Sequence, residues 1–268
     1  MPGADDVKPS TAGALRDLHE RFMVEERVVA SPVRRRLYLI AMLLVVVPLV
    51  AFVAILIDVL RGGELSSIDA PVQAWLNSVQ SDFLTATMTG LSVAFGPPVF
   101  PIVALVLVLG WVFTARHAWR PLLLAGGTLV AIVGVRLIAE LVDRARPPVR
   151  GMLIGPELSE SFPSGHVVGA ATIMLLTAYL VFSRRGNPRA AVAAFVVASL
   201  GLVATAASRV YLGYHWATDA VGAACVALIV LGLVIAIDTH RTVRVTDAGS
   251  PAPGAAPVSG GSSTAEHG

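Results

Sequence analysis

Six stretches of the chain carry no charged side chain, and they constrain the fold more than any other feature. A membrane-spanning helix needs roughly 17 to 25 predominantly apolar residues. The composition agrees, since 55% of the 268 residues are hydrophobic and only 14% are charged, which is unusual for a soluble domain. The stretches are too long and too uniformly apolar for barrel strands. The sequence therefore predicts an all-α, polytopic membrane protein with six transmembrane helices in a bundle, from the stretches 37–57, 97–115, 121–135, 167–183, 190–208 and 220–237. The third span is completed by 136–142.

Arginines flank these predicted spans unevenly and indicate their orientation. They cluster before the first span, between the second and third, between the fourth and fifth, and after the sixth. By the positive-inside rule these flanks are cytoplasmic, so both termini are predicted inside the cell. The segments left on the extracytoplasmic side are 61–96, 143–165 and 209–215.

The remaining parts of the chain predict three regions around this bundle. Residues 1–36 are expected to form a cytoplasmic arm that contains an amphipathic helix or a solvated segment, and 37–240 form the six-span domain. Residues 248–268 are rich in Gly, Ser, Ala and Pro, and the sequence predicts a disordered cytoplasmic tail over 241–268. The loop 62–96 mixes aromatic and polar residues and suggests short helices at the outer membrane interface.

The cysteine count and the net charge exclude cysteine-based sites and disfavour nucleic-acid binding. Cys225 is the only cysteine and lies in the last span, so an internal disulfide or a cysteine-based metal site is excluded and a packing role is expected. The net charge of +2 is spread over short flanks beside apolar helices. No nucleic-acid partner is expected from such a pattern.

Ionisable residues gather in three clusters near the ends of the predicted spans, and such residues tend to mark function. The clusters are "VDRARPPVR" at 142–150, "FPSGH" at 162–166 and "SRVYLGYHWATD" at 208–219. Because successive spans alternate in direction, all three clusters are expected on the same side of the membrane.

The second cluster has the features of an anion site at a helix start. The first N–H groups of a helix have no intrahelical partner, and Pro163 and Ser164 favour a helix start here. Gly165 would let an anion approach the backbone closely, and His166 could exchange a proton beside it. A lone interfacial histidine is more often structural, so this cluster alone does not decide the function.

The third cluster is more specific. His215 and Asp219 are four residues apart at a helix start, so the carboxylate can hold one ring nitrogen and leave the other free as a nucleophile. Arg209 and Arg146 can offer planar donors that match phosphate geometry. Interfacial ion pairs remain the alternative for any one residue, but the joint arrangement favours a phosphoryl site.

These motifs resemble those of the type 2 phosphatidic acid phosphatase superfamily, which includes bacterial lipid phosphate and isoprenyl diphosphate phosphatases. The resemblance covers about 37–240, with "PSGH" and "SRVYLGYHWATD" matching fully. It implies that His215 attacks phosphorus, Asp219 orients His215, and His166 protonates the leaving oxygen. It also implies binding of the phosphoryl oxygens by Arg146, Ser164, Gly165 and Arg209.

The first motif departs from the family pattern, which has a lysine seven residues before the arginine. Here that position is Ala139, and Glu140 follows it. Arg136 lies one helical turn earlier, so it could reach the position that the lysine would serve, or it could pair with Glu140. This departure is expected to change phosphate affinity more than the covalent chemistry.

The leading hypothesis is a lipid phosphate phosphatase in the cell membrane that works through a phosphohistidine, faces the extracytoplasmic side, and needs no cofactor or metal. A phosphotransferase would use the same intermediate and differ only in its acceptor. The vanadate-dependent haloperoxidases share the constellation but are soluble. A transporter or scaffold would scatter its polar groups towards the membrane midplane. The substrate stays open among phosphatidic acid, phosphatidylglycerol phosphate and polyprenyl diphosphate.

Overall fold

A computed structural model of the protein describes residues 27–96, 99–114 and 117–245. Within these ranges the chain is almost entirely helical. The α-helices are α1 (Ser31–Arg61), α2 (Asp69–Ser78), α3 (Asp82–Ala94), α4 (Phe100–Thr114), α5 (Trp119–Val142), α6 (Gly165–Phe182), α7 (Pro188–Tyr211) and α8 (Ala217–Thr242). Single 3₁₀ turns lie at Ser66–Ile68 and Val149–Gly151, and two three-residue strands, β1 (Arg27–Val29) and β2 (Val243–Val245), begin and end the described chain.

The prediction of an all-α membrane bundle is confirmed, but the predicted count of six spans is not. In the part of the chain that the structure describes, five helices are long and apolar enough to cross a membrane: α1, α5, α6, α7 and α8. The helix α4, at the predicted second span, has 15 residues and is about 22 Å long, shorter than the roughly 30 Å hydrocarbon core. Short helices were expected in 62–96, and α2 and α3 lie there.

The helix α6 lies at the centre of the bundle. Twelve of its 18 residues are buried, and it packs against α5, α7 and α8. Its inner residues are mostly small or branched, which lets three helices approach it closely. By contrast α1 turns many apolar side chains outward, as expected for a surface in contact with lipid tails. The start of α6, where the "FPSGH" motif lies, is therefore held on three sides.

The longest helix, α1, packs along α8. A side chain at Gly232 of α8 would come within 2.8 Å of the Ala41 carbonyl oxygen of α1, so this contact requires glycine. Phe162, which is fully buried, fills the other end of this interface and stacks on Phe52 with ring centroids 5.6 Å apart. The segment before α6 is thereby fixed against both α1 and α8.

Both ends of the described chain meet outside the long helices. The strands β1 and β2 pair in parallel, with Arg27 opposite Val243. The predicted disordered tail therefore starts later than 241, because 241–245 complete α8 and form β2. Of the predicted arm 1–36, residues 27–29 form β1 and 31–36 begin α1, so the first long helix starts earlier than 37. The rest of the arm, with most of its predicted amphipathic helix, and the rest of the tail lie outside the described residues.

Candidate active site

His215 lies in the short turn between α7 and α8 and is 2% exposed. Its Nδ1 donates a hydrogen bond of 2.8 Å to the carbonyl oxygen of Ser161. A carbonyl can only accept, so the proton is on Nδ1 and the lone pair is on Nε2, which is 3.1 Å from a guanidinium nitrogen of Arg146. Burial lowers the pKa of His215, and the Asp219 carboxylate offsets only part of this effect. The imidazole is therefore neutral at pH 7.

Asp219 orients His215 less directly than the spacing predicted. Its Oδ2 is 3.6 Å from His215 Nδ1, which is ion-pair distance but too long for a hydrogen bond. The same oxygen accepts hydrogen bonds from the Ser161 hydroxyl and, at 2.8 Å, from the Trp216 N–H. Asp219 thus holds Ser161, and the carbonyl of Ser161 holds the ring.

A buried ion network supports this carboxylate from the other side. Arg144 donates to Asp219 through one guanidinium nitrogen and to Asp69 through the other, at 2.7 Å. Asp69 also accepts from the N–H and the hydroxyl of Thr218, at 3.0 and 2.6 Å. The end of α5, the start of α2 and the start of α8 are therefore joined by charge-assisted hydrogen bonds.

The two arginines of the predicted phosphate site approach it from different elements. Arg146, in the loop after α5, donates to the carbonyls of Tyr214 and Ser159 at 2.7 and 2.8 Å. Arg209, in the last turn of α7, donates to the Ser92 hydroxyl at 3.0 Å and lies 4.3 Å from the centroid of the Tyr214 ring. Both side chains are more than nine-tenths buried, so their charges are poorly hydrated and need an anion.

Glu157 supplies that anion. Its two oxygens accept hydrogen bonds of 2.8 Å from Arg146 and Arg209, one each. Its side chain is 34% exposed, and it lies in the irregular loop before α6. Partial burial raises the pKa of Glu157, but the guanidiniums of Arg146 and Arg209 together lower it by more than burial raises it. The net pKa is therefore below the usual value. Glu157 is ionised at neutral pH and bridges the two arginines.

The three predicted clusters meet at one cavity of about 240 Å³. Its lining includes His166, His215, Arg146, Gly165 and Glu157. The side chain of His166 makes no hydrogen bond to any other described residue, so both of its ring nitrogens are available to a ligand.

Ser164 and Arg209 do not line this cavity. Ser164 holds the N-cap position of α6, but its side chain does not cap the helix. Its hydroxyl is buried and has no hydrogen-bond partner among the described residues. A buried hydroxyl without a partner is uncommon in native proteins, and a ligand oxygen at this helix start would satisfy it.

Arg136 and Ala139 also line the cavity. In the described chain Arg136 forms neither an ion pair nor a hydrogen bond with Glu140, although the two residues are one turn apart. The cavity wall that lacks the family's lysine therefore contains an arginine from the preceding turn of α5.

A glycine turn places Arg209 and His215 together. Gly213 has φ of +79°, and a side chain there would come within 2.3 Å of the Gly151 carbonyl oxygen. The N–H groups of Tyr214 and His215 both donate back to the carbonyl of Arg209, at 3.0 and 3.3 Å. The turn thus reverses the chain within six residues, and its positive φ favours glycine.

Sequence reasoning missed Glu157, Ser161 and Arg144. Glu157 could have been noticed as one of only two acidic residues between Arg150 and His166. Ser161 acts through its backbone carbonyl, which leaves no signal in the sequence. Arg144 was visible in the first cluster, but the sequence does not show that it reaches Asp219 and not phosphate.

Comparison with known proteins identifies the family. A profile of the PAP2 superfamily matches residues 120–242, which contain all three motifs. Residues 120–242 belong to the PAP2 superfamily. The resemblance inferred from the motifs is thereby confirmed, and with it the expectation of a phosphoric ester hydrolase family.

Two further comparisons cover more of the chain than the profile does. The chain is 27% identical over 198 residues to phosphatidylglycerophosphatase B of Bacillus subtilis, covering 72% of this chain and 94% of the relative. It is also similar in fold to the crystal structure of the transmembrane PAP2 type phosphatidylglycerolphosphate phosphatase from Bacillus subtilis. The TM-score is 0.64 at 24% identity, with 71% of this chain and 95% of that chain covered.

The bridge formed by Glu157 gives a first testable prediction. Glu157→Gln keeps the shape of the side chain but removes its negative charge, so a phosphate analogue would no longer compete with a carboxylate for the two arginines. We expect the inhibition constant for vanadate to fall severalfold, measured with purified enzyme in detergent.

Glu160→Gln is the matched control, because Glu160 also lines the cavity but contacts neither arginine within hydrogen-bond distance in the described chain. Its vanadate inhibition should stay near the wild-type value. A rise in the inhibition constant for Glu157→Gln would show that Glu157 positions the arginines and does not compete with phosphate.

Proposed function

We propose that this protein is a membrane lipid phosphate phosphatase that works through a phosphohistidine intermediate. One observation supports this most strongly: the neutral His215 directs its lone pair at a buried guanidinium, in a cavity that also contains an unpartnered histidine. That combination provides a nucleophile, an anion site and a proton carrier within one cavity.

In the first half of the reaction, Nε2 of His215 attacks phosphorus and the bond to the lipid oxygen breaks. His166 donates a proton to that oxygen as it leaves. Arg146 and Arg209 exchange the Glu157 carboxylate for the phosphoryl oxygens, and Ser164 and Gly165 complete the site at the start of α6.

In the second half, water attacks the phosphorus of phospho-His215 and His166 accepts its proton. The bond from phosphorus to Nε2 breaks, and inorganic phosphate leaves. The Nδ1 proton stays on the ring throughout, because the Ser161 carbonyl holds it, and Asp219 stabilises any positive charge on the imidazole. No metal or cofactor is needed in this scheme.

The substrate class follows from the rest of the cavity wall. Phe95, Pro101, Ile132 and Val135 line the same cavity as the two histidines. These apolar residues come from the end of α3 and from α4 and α5, so a lipid chain could lie between helices while its phosphate reaches His215. The named relative supports a glycerophospholipid phosphate such as phosphatidylglycerol phosphate. Phosphatidic acid and polyprenyl diphosphate also join a phosphate group to apolar chains, so they fit the same cavity wall.

The mechanism is tested by replacing the nucleophile and its orienting group. His215→Ala should lower phosphate release by more than about 10³-fold, as expected for an essential nucleophile. Asp219→Asn should fold but turn over more slowly, since Ser161 would lose an ionised acceptor. The assay is release of inorganic phosphate from lipid phosphates by purified protein, in EDTA and without an added acceptor.

Wild-type turnover in His215→Ala would exclude the proposed nucleophile. If the wild type released phosphate only after a lipid or sugar alcohol was added, the phosphotransferase would replace the phosphatase. As a control for protonation, His166→Ala should impair a lipid phosphate more than p-nitrophenyl phosphate, whose leaving group needs no acid.

We further propose that the site faces the extracytoplasmic side of the cell membrane, on the basis of the arginine flanks. Leu158, which is 86% exposed in the loop before α6, is the position to label. With Cys225 replaced, Leu158→Cys should react with an impermeant thiol reagent in intact cells. Arg189→Cys, at the other end of the bundle, should react only after lysis, and the reverse pattern would overturn this topology.

Arg136 is proposed to serve the phosphate site in place of the missing lysine. If so, Arg136→Ala should lower turnover strongly without loss of folded protein, and Ala139→Lys in that background should restore part of it. Turnover and thermal unfolding are measured together. Full activity in Arg136→Ala with Glu140→Ala would show that the arginine only balances a neighbouring charge.

A further inference from the structure

A second and larger cavity lies at the end of the bundle opposite the catalytic residues. Its volume is about 700 Å³, and it opens between α4, α5 and α6. Asp219 and Asp238 mark the two ends along α8 and are 19 residues apart, or roughly 28 Å at the rise of an α-helix. Nothing in the reaction proposed above uses this cavity.

Asp238 anchors the polar wall of this region. It is fully buried, and its carboxylate accepts hydrogen bonds from Tyr179 at 3.0 Å and Trp119 at 3.2 Å. Arg120 and Arg184 lie 3.6 and 3.7 Å from it. Asp238 therefore lies within ion-pair distance of two arginines that line the cavity.

Basic side chains line the cavity. Arg120, Arg184 and Arg185 all line it, and no carboxylate does among the described residues. Nδ1 of His117 and the hydroxyl of Thr177, two further lining residues, are buried without a hydrogen-bond partner in the described chain. A concave, partly dehydrated surface of this kind attracts an anion with several acceptor oxygens.

The remaining wall is apolar. Val106, Leu107 and Trp111 of α4, Leu124 of α5 and Leu180 of α6 also line the cavity. A free phosphate ion would use the cationic end and leave this wall unfilled. A phospholipid would fill both parts, with its headgroup at the arginines and a chain along the helices.

We propose that this cavity binds the headgroup of an anionic phospholipid, in the membrane leaflet opposite the one that supplies the substrate. The arginines bind its phosphodiester oxygens, and the short helix α4 forms one wall of the slot for its chain. A zwitterionic headgroup adds an ammonium to the same phosphate and is bound less tightly. The site is independent of the reaction at His215.

The glycine at position 110 allows a test that leaves every arginine in place. Gly110 lines the cavity, and a Cβ there would meet nothing within 4 Å, so the backbone leaves room for Gly110→Leu to place a side chain in the slot. Gly126→Leu is the matched control, because Gly126 of α5 also has open space but lies outside the lining. Both changes remove a helix-interior glycine, which favours helix formation.

The experiment measures the melting temperature of purified protein in detergent with added short-chain phosphatidylserine. A ligand that binds the folded state raises the melting temperature. We expect a rise for the wild type and Gly126→Leu that is absent in Gly110→Leu, and a smaller rise with phosphatidylcholine. Arg185→Gln, which changes an exposed side chain, should also reduce the rise with phosphatidylserine, while Arg189→Gln outside the lining should not.

Three results would overturn the proposal. An equal rise in Gly110→Leu and Gly126→Leu would place the lipid elsewhere, including at the catalytic cavity. Equal effects of phosphatidylserine and phosphatidylcholine would remove the role of the arginines. A rise of the same size with glycerophosphoserine or inorganic phosphate, lost in Gly110→Leu, would identify a site for a free anion instead of a lipid.

Discussion

The buried carboxylate of Asp219 is the interaction on which the rest of the site depends. Placing an ionised group in a protein interior is costly unless it is fully hydrogen-bonded. Here Ser161, Arg144 and the Trp216 N–H all donate to it. These donors come from the loop after α5, the segment before α6 and the start of α8, so satisfying one carboxylate fixes the three motif segments against each other. His215 lies among them and takes its orientation from the same contacts.

Within this frame, Glu157 shows how the site is neutralised before substrate binds. Two buried guanidiniums side by side repel each other, and a carboxylate between them relieves that repulsion. Carboxylate and phosphate oxygens both accept hydrogen bonds from the planar guanidinium of arginine, but a phosphoryl dianion offers more charge and more oxygens. A phosphoryl group that replaces Glu157 would therefore interact more strongly with the two arginines. The released carboxylate is close enough to solvent to be hydrated.

Much of the fold and the site could be predicted from the sequence, because apolar runs and motif spacing are local signals. The three clusters meet, and His166, His215 and Arg146 line one cavity. What failed depended on tertiary structure. The hydrogen-bond acceptor for His215 is the backbone carbonyl of Ser161, and a backbone group leaves no signal in the sequence. Glu157 has its role only because an irregular loop folds back over the arginines.

Each end of the bundle places a carboxylate between two arginines, but the two carboxylates differ in burial. At each end a carboxylate lies between two arginines, Glu157 at one and Asp238 at the other. Glu157 is partly exposed and lies on a loop, so it can exchange for a ligand oxygen at small cost. Asp238 is fully buried in α8 and is also bound by Tyr179, so it cannot leave without stranding charges. A ligand at that end must add to the arginines and not replace their partner, which suits stable occupancy more than turnover.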